Sequence, residues 1–231
     1  MSRKPRGEST RPLHVTLAVV LQVRDASLQV LLWQRGRAPY RGAWSLPGGA
    51  LEEGETLEDS IRRHLAAKVD VREVSHIEQL ATYGEPGRVP SAWELATTYL
   101  GLVQLGLDPD VPDDTRWHPV DDLPEMAFDH GAIVLAGRER LRGKLSYSNA
   151  GFALAPPTFT LAELREVYAA ALGHEVSATN LKRVLERRAV IEPTGDRRPS
   201  GRAGGRPAEV YRFRDTRLAI TDPFAALRPR R

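Results

Sequence analysis

The chain has 231 residues, 41% of them apolar, which is enough for one large and one small domain around a real core. It has no cysteine, which excludes disulfides, iron–sulfur clusters and thiolate zinc sites and fits a reducing cytosol. The formal net charge is only +3, but residues 1–176 carry 19 Lys+Arg against 24 Asp+Glu while residues 177–231 carry 14 against 6, so the basic C-terminal region points to nucleic acid or another polyanion.

Residues 1–12 contain arginines but no apolar run of the signal-peptide type, and are expected to form a flexible basic arm. His14–Val23 is rich in valine and leucine and reads as a buried strand; interrupted by Thr16 and Gln22, it is far too short to span a bilayer. Asp25-Ala26-Ser27 is a turn, and Leu28–Trp33 is the second strand of a hairpin. After a loop with Pro39 comes Pro47-Gly48-Gly49, a tight turn in which glycine permits close backbone approach. Thr56 is placed to cap a helix, with Glu58 and Asp59 in its first turn and Leu57, Ile61 and Leu65 as its core stripe to about Lys68. Val74–Tyr83, Glu94–Val103 and Arg116–Val120 read as strands, and Asp129–Leu145 as a helix despite Gly131 and Gly137.

From Gly143 the pattern changes. Leu145–Ala155 is a loop or short helix ended by Pro156-Pro157. Thr160 and Glu163 form a capping box for a helix over Leu161–Leu172, which Gly173 terminates. Ser177 caps a second helix, Ala178–Arg188, with Leu181, Val184 and Leu185 facing inward. Val190–Thr194 and Val210–Phe213 are short strands around a basic, glycine-rich turn. Two helices and a basic hairpin make a winged helix-turn-helix, with the Asp129–Leu145 region expected to lead into its first helix.

The stretch Gly49–Val71 resembles the Nudix box, G-x5-E-x7-R-E-U-x-E-E-x-G-U with U aliphatic. Gly49, Glu55, Arg63, Leu65 and Val71 match it, whereas His64, Ala67 and Lys68 stand where the box asks for glutamates and Asp70 replaces its last glycine. In Nudix hydrolases those carboxylates, one helical turn apart, converge on magnesium, which neutralises phosphate charge and helps form the attacking hydroxide. Imidazole, methyl and ammonium groups are not hard oxygen ligands. An ammonium about 4 Å from a divalent cation repels it by roughly 8 kcal/mol at an effective dielectric near 20. The expectation is no catalytic residue and no metal. Glu52, Glu53, Glu55 and Glu58 survive nearby, so an active ADP-ribose hydrolase with an accessory DNA-binding domain is the alternative.

Leu123-Pro124, Ala127-Phe128-Asp129-His130, Gly205-Arg206-Pro207 and Tyr211-Arg212-Phe213 resemble the Nudix-related transcriptional regulators called NrtR, over roughly residues 13–214. The resemblance implies an α+β chain: a Nudix-like α/β/α sandwich with a mixed sheet over 13–144, a winged helix-turn-helix over 145–215 and a basic tail over 216–231. It also implies a cytoplasmic repressor of NAD biosynthesis or salvage genes, without a cofactor and away from membranes. As a homodimer it would read a palindromic operator in double-stranded DNA and sense ADP-ribose or a related nucleoside diphosphate sugar.

Arg35, Arg37 and Arg41 flank the Gly48-Gly49 turn and suit phosphates, as does Arg88 in the loop 85–90. Lys68 either faces a diphosphate as a fixed cation or points to solvent. Phe128 and Tyr40 suit stacking on adenine, and Trp44 suits a stacking or a core position equally. In a helix-turn-helix the second helix presents its N-terminal residues to base edges, here Thr179, Asn180, Lys182 and Arg183. Arg187 and Arg188 follow towards phosphates, and Arg197, Arg198, Arg202 and Arg206 on the wing suit a minor groove. A further alternative is an RNA-binding or protein-interaction module built on a Nudix shell.

Overall fold

The computed structural model describes residues 11–69, 71, 73–90, 92–199 and 207–222. A hairpin of β1 (Leu13–Arg24) and β2 (Ser27–Gln34) leads through the short strands β3 (Trp44–Ser45) and β4 (Gly48–Ala50) to α1 (Leu57–Val69). Three strands follow, β5 (His76–Tyr83), β6 (Glu94–Leu102) and β7 (Thr115–Pro119), and then α2 (His130–Tyr147). The sheet runs β3-β2-β1-β6-β5, with β4 paired to β1 and β7 to β2. Its β1–β6 pairing is parallel and the others are antiparallel, so the sheet is mixed as expected.

β1 is buried on both faces, which is why its sequence alternates only weakly. Ala18 and Val20 pack with Ile61, Leu65 and Val69 of α1 in one core. Val15, Leu17, Val19 and Leu21 face the other side, beneath α2. This period of two is the pleat of the strand. Gly137 explains its place inside α2: a Cβ there would come within 2.7 Å of Val19 Cγ1, so the helix lies closer to the sheet than a larger residue allows. α1 begins as expected, with Thr56 Oγ1 accepting from Asp59 N at 3.1 Å.

The winged helix-turn-helix comprises β8 (Phe159–Thr160), α3 (Leu161–Leu172), α4 (Ala178–Arg187), β9 (Ile191–Arg198) and β10 (Ala208–Phe213). β8, a strand too short to read from sequence, joins β10 and β9 in a three-stranded sheet. The capping box of Thr160 and Glu163, the left-handed Gly173 and the Ser177 cap are all formed. Its core is not separate from that of the first unit. Leu164, Val167, Tyr168, Leu185 and Tyr211 belong to the same buried cluster as Val19, Ile133 and Leu141. α2 serves both units, and a buried 3-10 turn over Ala150–Ala153 carries the chain between them.

Part of the expected basic tail is structured. The Asn149 side chain donates to the carbonyls of Asp215 and Arg217 and accepts from Ala219 N, while Thr221 N and Asp222 N donate to the Tyr147 carbonyl. Residues 214–222 therefore clasp the junction of α2 with the winged helix, and the tail expected over 216–231 is corrected for 216–222. The expected basic arm, apart from Arg11 and Pro12, and residues 223–231 lie outside the described residues.

Candidate ligand pocket and nucleic-acid interface

The start of β1, the β4 turn and the N-terminal end of α2 enclose a cavity of about 360 Å³. A larger cleft of about 460 Å³ lies between the β1–β2 turn and the C-terminal end of α3. It contains none of the Gly48-Gly49 turn or the expected ligand residues, so the smaller cavity is the candidate site.

Gly48 makes this site. A Cβ on it would sit 2.0 Å from the Thr16 carbonyl oxygen, so only glycine lets β4 lie against β1. The Gly48 carbonyl accepts from Lys68 Nζ at 2.5 Å, and the same ammonium lies 5.0 Å from the centroid of the Trp33 ring. Burial pushes the Lys68 pKa down, assisted by the positive charges of Arg35 and Arg63. Arg35 lies 4.8 Å from the Phe128 ring centroid and donates through Nε to the Pro39 carbonyl. Phe128 in turn meets Tyr40 edge-on at 4.8 Å. Arg35, Lys68 and Phe128 line the cavity together.

Arg88, Arg37 and Arg41 do not meet the sequence expectation, and Trp44 takes the core position that the sequence left open beside stacking. Arg88 is not a free phosphate ligand: its side chain is 4% exposed and is held by Asp129 and Glu94. Trp44 lies off the cavity wall, edge-on to His118 at 4.3 Å and against the core. Arg37 and Arg41 are exposed and line no part of the cavity.

Sequence reasoning missed Glu94, His130 and Trp33, which do line it. His130 could have been found, since it ends the Phe128-Asp129-His130 motif. Its Nδ1 accepts from Leu46 N at 3.0 Å, which leaves the ring proton on Nε2. Burial lowers its pKa to about 4 against the attraction of Asp129, and the charges of Arg88 and Arg35 lower it further.

The degenerate box has a consistent internal chemistry. Glu55, its one matching acid, accepts from Arg63 Nε at 2.5 Å and Nη2 at 2.8 Å, and from Glu52 N at 3.1 Å. The Arg63 hydrogen bond outweighs the effect of burial and holds the Glu55 pKa at about 2. His64 Nε2 is 3.0 Å from the Ala50 carbonyl, and burial, with Arg63 and Lys68 nearby, lowers its pKa. Ala67 offers no donor and Lys68 a cation. His64, Ala67 and Lys68 offer a magnesium ion no hard oxygen ligand.

On the winged helix, Thr179, Asn180, Arg183 and Arg187 are exposed on α4, and Arg183 Nη2 donates to Asn180 Oδ1 at 2.8 Å. That exposed pair presents an amide and a guanidinium side by side. Lys182, its side chain 37% exposed, lies over the Tyr211 ring at 5.3 Å and near Glu186 and Glu209. Arg188 is bound to Asp222 at 2.6 Å. On the wing Arg197 is exposed, but Arg198 is committed to Glu163 and to the Thr158 carbonyl and hydroxyl. Arg202 and Arg206 lie outside the described residues. Among the described residues no helix is long and apolar enough to cross a membrane.

Two family models match the chain: the NUDIX domain over residues 12–136 and the NrtR DNA-binding winged helix domain over residues 151–213. The chain is 29% identical over 220 residues to the ADPR responsive transcriptional repressor NtrR of Acinetobacter baylyi, covering 92% of this chain and 86% of that protein. The crystal structure of Shewanella oneidensis NrtR complexed with a 27mer DNA is similar at a TM-score of 0.74 and 34% identity, covering 87% of this chain and 94% of that one. The NUDIX domain of the same protein complexed with ADP ribose is similar at a TM-score of 0.51 and 35% identity, covering 60% of this chain and 94% of that one.

Proposed function

Since the chain belongs to the NrtR family of Nudix-related transcriptional regulators, we propose that it is a DNA-binding repressor of NAD biosynthesis or salvage genes whose Nudix unit senses ADP-ribose. One observation carries this reading: a single buried core joins the cation-lined cavity to an exposed reader helix. Ligand bound below β1 and DNA bound at α4 therefore act on one packed body, through α2 and α3. For regulation, the effector must bind the DNA-competent and DNA-incompetent arrangements with different affinity, and DNA must alter effector affinity by the same factor.

In the cavity, Lys68 and Arg35 take the place of a metal opposite the diphosphate, and Phe128 offers a face to the adenine. The neutral Nε2–H of His130 adds one fixed donor. The Nudix unit binds without hydrolysing, because the positions that would hold magnesium are a carbonyl-bound imidazole, a methyl group and an ammonium. On DNA, Asn180 and Arg183 read base edges, with Thr179 beside them, while Arg187 and Arg197 meet phosphates. The protein acts in the cytoplasm as a two-fold dimer on a palindromic operator, since one winged helix rarely supplies enough specificity.

A mobility shift on the DNA upstream of its own and neighbouring NAD genes tests the reading. Binding to duplex that ADP-ribose changes supports it; indifference to every promoter fragment, or preference for single-stranded RNA, overturns it. Incubation with ADP-ribose and magnesium or manganese tests the absence of hydrolysis, and AMP produced over many turnovers would assign the Nudix unit an enzymatic role.

A further inference from the structure

The ligand cavity is lined by the cations Arg35 and Lys68 and by the carboxylate of Glu94, a group that does not bind phosphate. Glu94 opens β6 opposite Leu13 at the start of β1, and Gly48 lies opposite Leu17. Four residues of strand separate those positions, about 13 Å at a rise near 3.3 Å per residue. Lys68 is fixed at the Gly48 end by the carbonyl it binds. Glu94 Oε1 accepts from Arg88 Nη1 at 2.8 Å, and Arg88 is itself locked by Asp129. The second carboxylate oxygen of Glu94 has no partner among the described residues, although the side chain is 17% exposed and lines the cavity.

A mostly buried carboxylate on a cavity wall, held at one oxygen by an arginine, is a positioned acceptor. It repels phosphate and rewards a neutral donor, above all a pair of adjacent hydroxyls. Arg88 holds the carboxylate in one orientation, so little freedom is lost when a donor arrives. Building on the assignment of ADP-ribose as effector, we propose that Glu94 reads a ribose diol of that ligand and sets the specificity for an unphosphorylated ribose. The diol belongs either to the adenosine ribose or to the terminal ribose.

Calorimetry with three ligands separates the two: ADP-ribose, ADP, which lacks the terminal ribose, and the ADP-ribose analogue phosphorylated on the adenosine ribose. The wild-type protein should bind ADP-ribose at least about tenfold more tightly than the ligand whose diol is missing or blocked, as expected for a hydrogen bond to a charged group. Glu94→Gln should weaken ADP-ribose by about tenfold and leave that one ligand unchanged, or bind it better if it is the phosphorylated one. A loss shared equally by all three ligands would mean that Glu94 only orders Arg88, and overturns the proposal. Should Glu94→Gln fail to fold, equal wild-type affinity for all three ligands overturns it instead. A wild-type protein that binds none of them removes the effector assignment itself, a separate outcome.

Discussion

Arg88 and Asp129, 41 residues apart in sequence, are joined by two hydrogen bonds of 3.0 and 2.6 Å. Asp129 stands at the N-cap of α2 but makes no capping hydrogen bond with its side chain. Its carboxylate instead ties the loop before β6 to the start of α2, across one wall of the cavity. Removing the guanidinium strands two partly buried acids, Asp129 and Glu94. Fully buried pairs broken in this way cost about 3–5 kcal/mol. Both acids keep some solvent, so Arg88→Ala should destabilise the fold by about 2–4 kcal/mol in chemical denaturation. Unchanged stability with weakened effector binding would return Arg88 to the role of a phosphate ligand.

His130 gives stability a defined pH dependence. It is 5% exposed with a pKa near 4, below the unfolded value of about 6.5. A depressed pKa means that the unfolded chain binds the proton more tightly. The contribution is therefore complete above about pH 6.5 and lost as pH falls towards 4, amounting to about 3 kcal/mol. His130→Asn keeps an acceptor for Leu46 N and has no titrating ring, so its stability should vary less across that window. Parallel wild-type and variant curves in urea titrations would remove the assignment.

The Gly48 turn gives a contrast within one loop region. At Gly48 an added Cβ meets the Thr16 carbonyl oxygen at 2.0 Å, whereas at Gly54, with φ +85°, it meets nothing within 4 Å. Gly48→Ala must separate β4 from β1 and should cost about 3 kcal/mol or more. Gly54→Ala carries only backbone strain, about 1–2 kcal/mol. Thermal unfolding of the two variants ranks them, and equal losses would mean that β4 yields without cost.

The elements with local signals were legible in the sequence. Thr160 with Glu163, Gly173 and Ser177 fix both helices of the winged unit through short-range hydrogen bonds. The Thr56 cap, the acids Glu58 and Asp59 and the Leu57, Ile61, Leu65 stripe placed α1, and Pro47-Gly48-Gly49 marked the turn. Long-range pairings were not legible. Nothing local in Arg88 or Arg198 distinguishes a cation free for phosphate from one already bound to a distant acid, and both proved to be bound. Trp44 stayed ambiguous for the same reason, since its neighbour His118 comes from β7. The clasp of 214–222 was hidden because its hydrogen bonds are mostly to backbone and leave no residue signature.

Arg183 and Arg198 should respond in opposite ways to the same substitution. Arg198 binds Glu163 at 2.8 Å, and the same Glu163 side chain accepts from Thr160 N to close the capping box of α3. Both partners of that ion pair remain partly exposed, so Arg198→Ala should cost about 1 kcal/mol of stability and leave relative affinity for operator and random duplex unchanged. Arg183 is exposed and its one described partner is Asn180 of its own helix, so Arg183→Ala should leave the fold intact. On a guanine-containing operator it should lose about 1–3 kcal/mol of binding, with a smaller loss on random duplex. Competition shifts at two salt concentrations separate base reading from phosphate contact. Equal losses on both duplexes, with the salt slope reduced by about one, would make Arg183 a phosphate contact and leave sequence reading to Thr179 and Asn180.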